Sequence, residues 1–262
     1  MSNADGDAPG ATDISEQVLG LTRRTLTALA ERVEDFEHGF AARTRSLPQV
    51  WTLNQVRIVG PTTAGEVVAL ADRFQDGLQF RHVVIDGERG AALVDELVAA
   101  GWQSEREVVM AMTRPVVRGI DTSQVVELSE AQMLALMREW LLEERDGMAT
   151  DALDQVTEYN RLEGALFDET RLGVVVAETP LAVTKLRSID GIAWVEDVYT
   201  SPSARGQGLA RALLAEAVRR AWDLRPGFVY IIADDNDWPK NFYGRAGFAP
   251  VGLAYTFHRD VA

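Results

Sequence analysis

The chain has 262 residues, of which 47% are hydrophobic and 25% charged, a composition typical of a globular protein with one large or two small cores. A net charge of −14 argues against a nucleic-acid partner, because phosphate binding needs clustered lysines and arginines, and it favours a cationic substrate. The lack of cysteine excludes disulfides, thiolate ligands and a cysteine acyl-enzyme, and three scattered histidines give no metal-binding pattern. No apolar run approaches the ~20 residues of a membrane span and no signal peptide is present, so we expect a cytoplasmic protein without membrane association.

The first half of the chain predicts alternating helices and strands. Residues 1–12 lack periodic apolar positions and indicate a disordered lead, residues 13–115 a first domain, and residues 116–123 a linker. The predicted helices are 18–30, 65–74 and 90–100, and the predicted strands are 40–44, 50–59, 82–86 and 106–113.

Residues 124–262 predict a second and fuller series. A strand (125–128) and two helices (130–144 and 150–167) precede three strands (173–178, 181–188 and 192–199). A helix after a glycine turn, a strand (228–233), a short helix and a strand within 252–258 follow. The order indicates an α/β fold with a mixed sheet.

The glycine turn Arg205-Gly206-Gln207-Gly208-Leu209-Ala210 joins a strand to a helix. Glycines let successive N–H groups point at one anion, and the helix dipole adds partial positive charge, so the turn is a candidate pyrophosphate cradle. It is not a dinucleotide fingerprint, because Arg211 stands where the third glycine would be, and it lacks the lysine of a P-loop.

Two motifs resemble the GCN5-related N-acetyltransferase (GNAT) family. Arg205-x-x-Gly208-x-Ala210 resembles the family's R/Q-x-x-G-x-G/A motif, and the segment from Asn236 to Phe248 resembles N-x-x-A-x-x-F-Y-x-x-x-G-F, with Pro239 in place of the alanine. The resemblance implies a GNAT-like fold in the C-terminal half, acetyl-CoA as cosubstrate and no metal.

The resemblance also implies roles for individual residues. Glu196 would be the general base, with Asp197 as the alternative. Consecutive strand residues point to opposite faces, so only one of the two can face the acceptor pocket. Tyr243 would be the general acid that protonates the leaving thiolate, and the Val198 N–H would bind the thioester oxygen at a bulge of its strand. The residues expected to line the coenzyme are Val198, Tyr199, Thr200, Arg205, Gly206, Gln207, Gly208, Leu209, Ala210, Asn236 and Tyr243.

The first half resembles a degenerate copy of the second. The strand, helix and Gly-aromatic turn at 82–102 align without a gap with those at 228–248, but Leu97 stands where Tyr243 is, and Gly90 where Asn236 is. Residues 61–73 contain no turn equivalent to the glycine turn, which predicts a single coenzyme per chain.

The resulting hypothesis is an N-acetyltransferase that acetylates a primary amine by direct attack within a ternary complex. An acyl-CoA sensor without transfer, a transferase for a longer acyl group and one for a protein amine are the alternatives. We expect the acceptor to be a small amine, with a cationic amine favoured by the net charge, and the protein to be a monomer or a homodimer. Trp140, Glu143, Glu144, Trp194, Trp51 and Asn54 are candidates for an acceptor cleft, although packing or solvated positions explain them as well.

Overall fold

The computed structural model describes residues 9–116, 119–144 and 148–261. The helices in these ranges are α1 (Ala11–Leu29), α2 (Ala64–Phe74), α3 (Val94–Ala99), α4 (Glu130–Glu144), α5 (Thr150–Gly164), α6 (Leu209–Asp223) and α7 (Pro239–Ala246). The strands are β1 (Arg32–Phe36), β2 (Gly39–Arg43), β3 (Val56–Ile58), β4 (Phe80–Asp86), β5 (Gln103–Met112), β6 (Val125–Glu127), β7 (Asp168–Val176), β8 (Thr179–Ile189), β9 (Ile192–Thr200), β10 (Phe228–Asp234) and β11 (Ala249–Asp260).

All of these strands form one mixed sheet in the order β1-β2-β3-β4-β11-β5-β10-β9-β8-β7-β6. The pairs β3–β4 and β9–β10 are parallel, and the other pairs are antiparallel. The pattern of parallel and antiparallel pairs from β1 to β7 therefore reads the same in either direction from the central pair β11–β5.

The closing strands of the two halves are exchanged. β5 follows β4 in the chain but pairs with β10, whereas β11 follows β10 but pairs with β4. β5 and β11 also pair with each other along most of their length. Neither half of the sequence therefore completes its part of the sheet with its own strands.

Helices cover both faces of the sheet because the strands are apolar on both sides. On β10, Val229 and Ile231 pack in the cluster that contains the apolar side of α6, whereas Phe228 and Tyr230 pack with Ile14, Val18 and Leu21 of α1. α2 and α3 pack with the α6 face of the sheet at its other end, against β3, β4 and β11. The opposite face, under α1, α4 and α5, holds the polar pocket described below.

The mixed α/β fold predicted from the sequence is confirmed, with several corrections to its elements. Helix α1 begins at Ala11, two residues inside the lead expected to be disordered, and residues 1–8 lie outside the described ranges. β1 was not predicted, because its Arg32, Glu34 and Asp35 give it no apolar alternation. Of the strand predicted at 50–59, only Val56–Ile58 pairs, since residues 51–54 form a turn. In the predicted linker, residues 119–123 have no helix or strand, and residues 117 and 118 are not described.

No helix within the described ranges is long and apolar enough to cross a membrane.

Candidate functional site

The main cleft opens where β9 and β10 separate. The parallel pairing runs from Ile192–Phe228 to Trp194–Tyr230 and then stops, although β9 continues to Thr200 and β10 to Asp234. The resulting cleft has a volume of about 900 Å³. Both faces of the sheet contribute to its walls, and α6 begins at one end of it.

A β-bulge interrupts β9 beside this cleft. Tyr199 pairs with Val183 and Glu196 with Lys185, so that Asp197 and Val198 together oppose the single residue Thr184. Asp197 has a φ of +53°, which is uncommon for a residue other than glycine. A bulge leaves the extra residue outside the ladder and redirects side chains, and bulges are frequent next to active sites.

The glycine turn leads from β9 into α6 and has the geometry of an anion cradle. Gly206 and Gly208 have φ values of +78° and +80°, a backbone conformation that glycine adopts without strain. Among the described residues, no acceptor is bound by the N–H groups of residues 206–210. These donors stand at the positive end of the α6 dipole, so the turn fits the pyrophosphate of coenzyme A.

Arg205 is held against the side of the cradle by Glu143 of α4. The Arg205 Nη2 to Glu143 Oε1 distance is 2.6 Å, and Arg205 Nε donates to the carbonyl oxygen of Thr200 at 3.1 Å. Tyr199 donates its hydroxyl to the other oxygen of Glu143 at 2.7 Å. The hydrogen bond from Tyr199 and that from Arg205 lower the pKa of Glu143, so this carboxylate is ionised beside the expected phosphate position.

Glu196 and Asp197 lie on the same face of the sheet. Asp197 pairs with Lys185 at 2.5 Å and Glu196 with Arg187 at 2.6 Å, and these two cations are two positions apart on β8, so they share a face. The expectation that these two side chains point to opposite faces of the sheet is therefore wrong. The bulge with its positive φ at Asp197 breaks the alternation on which that expectation depended.

Arg187 is the centre of a buried ion network. Its side chain has no exposed surface, and besides Glu196 it contacts Glu163 at 2.7 Å and Glu169 at 2.8 Å. Tyr159 donates its hydroxyl to the second oxygen of Glu163 at 2.5 Å. A buried cation that contacts three carboxylates fixes their positions, because leaving any one of them unpaired is costly.

Two titratable groups beside the cleft have pKa values shifted in ways that suit proton transfer. Burial raises the pKa of Glu196 to about 8, with a further increase from Asp197 and Glu163, although Arg187 opposes the shift. Burial and the nearby Asp197 raise the pKa of Tyr243 to about 12, so its hydroxyl stays protonated at neutral pH. A base near neutrality and a protonated phenol meet the requirements for general base and general acid.

The structure brings together most of the residues singled out from the sequence. Glu196, Val198, Tyr199, Thr200, Arg205, Gly206, Gly208, Leu209, Ala210 and Tyr243 all line the cleft. Gln207 and Asn236 do not. Gln207 is exposed between the two glycines, and Asn236 is exposed on a turn in which its N–H binds Asp234 Oδ1 at 2.7 Å. Asp237 and Trp238 line the cleft where Asn236 was expected.

A second pocket of about 460 Å³ continues from the cleft past Glu196 and Asp197 to the first half of the chain. Its walls include Trp51, Trp140 and Trp194, three of the acceptor candidates. Asn54 is instead fully buried and binds the backbone of Thr44, Leu47 and Val50, a structural role. Sequence reasoning missed Glu107 and Glu163, which also line the pocket, because distant segments supply them.

The first half has no cradle at the equivalent place. Helix α2 connects β3 to β4 as α6 connects β9 to β10, but its first turn is closed by a capping box. Glu66 N donates to Thr63 Oγ1 at 3.3 Å, and Thr63 N donates to Glu66 Oε2 at 2.8 Å. The Glu66 carboxylate thus takes the position that an anion would occupy at this helix end.

No group of three or more histidine, aspartate or glutamate side chains suited to a metal ion occurs within the described part of the chain.

Comparison with known proteins agrees with the geometry. The profile of the acetyltransferase (GNAT) family matches residues 134–248. A GCN5-related N-acetyltransferase from Kribbella flavida has a TM-score of 0.59 at 18% identity, covering 99% of this chain and 97% of that chain. A conserved protein of unknown function from Staphylococcus epidermidis has a TM-score of 0.67 at 12% identity, covering 90% of this chain and 96% of that one.

At such identities these structures show a common fold, which in both cases extends over nearly the whole chain. No curated protein sequence matches this one. The family match covers the glycine turn, the bulged strand and the motif that contains Tyr243, which are the elements that build the cleft. Residues 134–248 therefore match the acetyltransferase (GNAT) family, and this match supports acyl transfer as the general class of reaction.

Proposed function

We propose that this protein transfers the acetyl group of acetyl-CoA to a primary amine by direct attack within a ternary complex. The observation that carries the proposal is the bulge at Asp197–Val198, which lies between the glycine cradle and the pocket and has Glu196 and Tyr243 beside it. The family match to residues 134–248 supports the acyl-transfer class.

Acetyl-CoA would be held by the N–H groups of residues 206–210 at its pyrophosphate and by the walls of the cleft along its pantetheine arm. It would supply an activated thioester. The Val198 N–H at the bulge would donate to the thioester oxygen, a position where a fixed backbone donor stabilises developing negative charge.

The chain's own groups would handle the protons. Glu196 would accept a proton from the acceptor ammonium, directly or through water, because its pKa of about 8 is closer to that of an amine than the pKa of an ordinary carboxyl is. The Tyr243 hydroxyl would give its proton to the departing thiolate. The absence of cysteine from the chain agrees with direct transfer, since a cysteine acyl-enzyme cannot form.

The test is a screen of amines for acetyl-CoA-dependent thiol release, with polyamines, aminoglycosides, amino acids and peptide N-termini as acceptors. Turnover with at least one free amine, and an acetylated product identified by mass spectrometry, supports the proposal. Tight acetyl-CoA binding without any turnover would indicate an acyl-CoA sensor. Turnover only with longer acyl donors, or only with protein amines, would reassign the donor or the acceptor.

A further inference from the structure

The second pocket carries an excess of negative charge that the chain itself does not neutralise. Five carboxylates line it: Glu105, Glu107, Glu163, Glu196 and Asp197. Three of them are paired with Lys185 and Arg187 behind the pocket wall. The remaining two, Glu105 and Glu107, come from β5 in the first half of the chain.

Glu105 is exposed, and Glu107 is the more buried of these two carboxylates. Within the described part of the chain it forms no ion pair or side-chain hydrogen bond, whereas Arg57, the lining arginine, is bound to Asp86 by hydrogen bonds of 2.8 and 2.6 Å. Burial is the main cause that raises the pKa of Glu107. Removing a carboxylate from water without a partner is costly, so a cation that enters the pocket gains by binding it.

The sheet sets the distance between Glu107 and Glu196. Glu107 pairs with Asp234 on β10, and continuing the register of Trp194–Tyr230 puts Glu196 level with Ile232. Two regular strand spacings and an offset of two residues would give about 12 Å between the two Cα atoms. Because β9 and β10 separate beyond Trp194 and Tyr230, this distance is a lower limit, and both side chains line the pocket. Each ammonium-to-carboxylate contact takes about 2.8 Å, which leaves room for a short aliphatic chain between two ammonium groups.

Aromatic and apolar side chains line the space between these carboxylates. Trp194 and Tyr230 are stacked with ring centroids 5.5 Å apart, and Val109 and Ile232 lie on the same face. Trp51 contributes another ring on the side of the first half. Such walls suit methylene groups, and the aromatic rings also attract ammonium groups.

We propose that the acceptor is an aliphatic diamine or polyamine whose second ammonium group binds Glu107 while its reacting amine lies at Glu196. This inference rests on the proposed function. In it the first half of the chain selects the substrate, and the second half carries out the transfer.

The test compares putrescine with butylamine, which has the same chain length but lacks the second ammonium. For the parent enzyme we expect kcat/KM to be at least about tenfold higher with putrescine than with butylamine, because one hydrogen bond to a charged group contributes about that much. Glu107→Gln should lower kcat/KM for putrescine about 10- to 100-fold and leave butylamine unchanged. Glu107→Asp should keep the preference, and Glu88→Gln, at an exposed position of the same half, should change neither.

Equal kcat/KM for the two amines, or an equal loss for both in Glu107→Gln, would overturn the diamine assignment while acetyl transfer stood. If no amine is acetylated, the proposed function is wrong. Calorimetry with putrescine then tests separately whether the pocket binds a diamine at Glu107. Putrescine binding that Glu107→Gln removes and Glu88→Gln keeps would support the site. No putrescine binding to the parent protein would overturn it. Thermal unfolding of each variant shows whether it is folded.

Discussion

Replacing Glu196 by glutamine tests the role of the bulged strand most directly. Glutamine has nearly the same shape but cannot accept a proton as a base. Arg187 keeps Glu163 and Glu169 as partners in the variant, so the ion network should remain largely in place. We therefore expect the acetyl-CoA dissociation constant to be unchanged and turnover to fall.

The magnitude follows from the environment of Glu196. A general base contributes about 10²- to 10⁴-fold to the rate. With a pKa of about 8, about a tenth of Glu196 is ionised at pH 7 and about nine-tenths at pH 9. The parent's rate relative to that of Glu196→Gln should therefore rise nearly tenfold between these pH values.

The assay is thiol release at saturating acetyl-CoA, with an acceptor whose own pKa is near 10 so that it stays protonated throughout the range. Dividing the parental rate by that of Glu196→Gln at each pH removes the contribution of the amine itself. A ratio that does not change with pH would refute the assignment of Glu196 as the base. An undiminished rate in the variant would refute it as well, and Asp197→Asn would then be the next variant to measure.

Four further predictions follow from the structure. Gly208→Glu should abolish acetyl-CoA binding in calorimetry, because φ is +80° at this position and the new carboxylate repels phosphate. The control variant Gly65→Glu, on α2, should bind acetyl-CoA normally, and equal affinities of the two variants would contradict the assignment of the cradle. A coenzyme titration should saturate at one per chain, because Glu66 closes the start of α2, and two sites would disprove this. Tyr243→Phe should keep the coenzyme dissociation constant and lose about 10²- to 10⁴-fold in turnover, because only the proton donor is removed. A parental rate would show that water protonates the thiolate instead. Glu216 has a pKa lowered to about 2 by hydrogen bonds from Arg219 and Arg220 and should stabilise the fold above pH 4.5, by about 1 kcal/mol because solvent screens the exposed Arg219. In denaturant unfolding, its advantage over Glu216→Gln should shrink as the pH falls toward 2.

The elements that could be predicted from the sequence are those that neighbouring residues determine. The glycine turn needs only a strand end, two glycines and an apolar helix stripe, all within about twenty residues of chain. The same holds for the short helix that carries Tyr243.

Features that depend on distant segments could not be predicted in this way. The bulge depends on how Thr184 of β8 meets β9; the family resemblance implied it at Val198, but no local pattern at Glu196 and Asp197 reveals it. Glu107 reaches the pocket only because β5 pairs with β10. The strand exchange itself was hidden because the apolar alternation of β5 and β11 fits a pairing within each half equally well.

The strand exchange also has a consequence for how the chain is synthesised. β4 and β5 are complete by Met112, but β11, which separates them in the sheet, is the last of the described strands to be made. Until then both expose strand edges that can pair with other chains, a known route to aggregation. The final pairing joins residues as far apart as Phe80 and Asp260, 180 positions along the chain, and such long-range contacts form slowly. Nascent chains of this protein should therefore be prone to aggregation until β11 has been made.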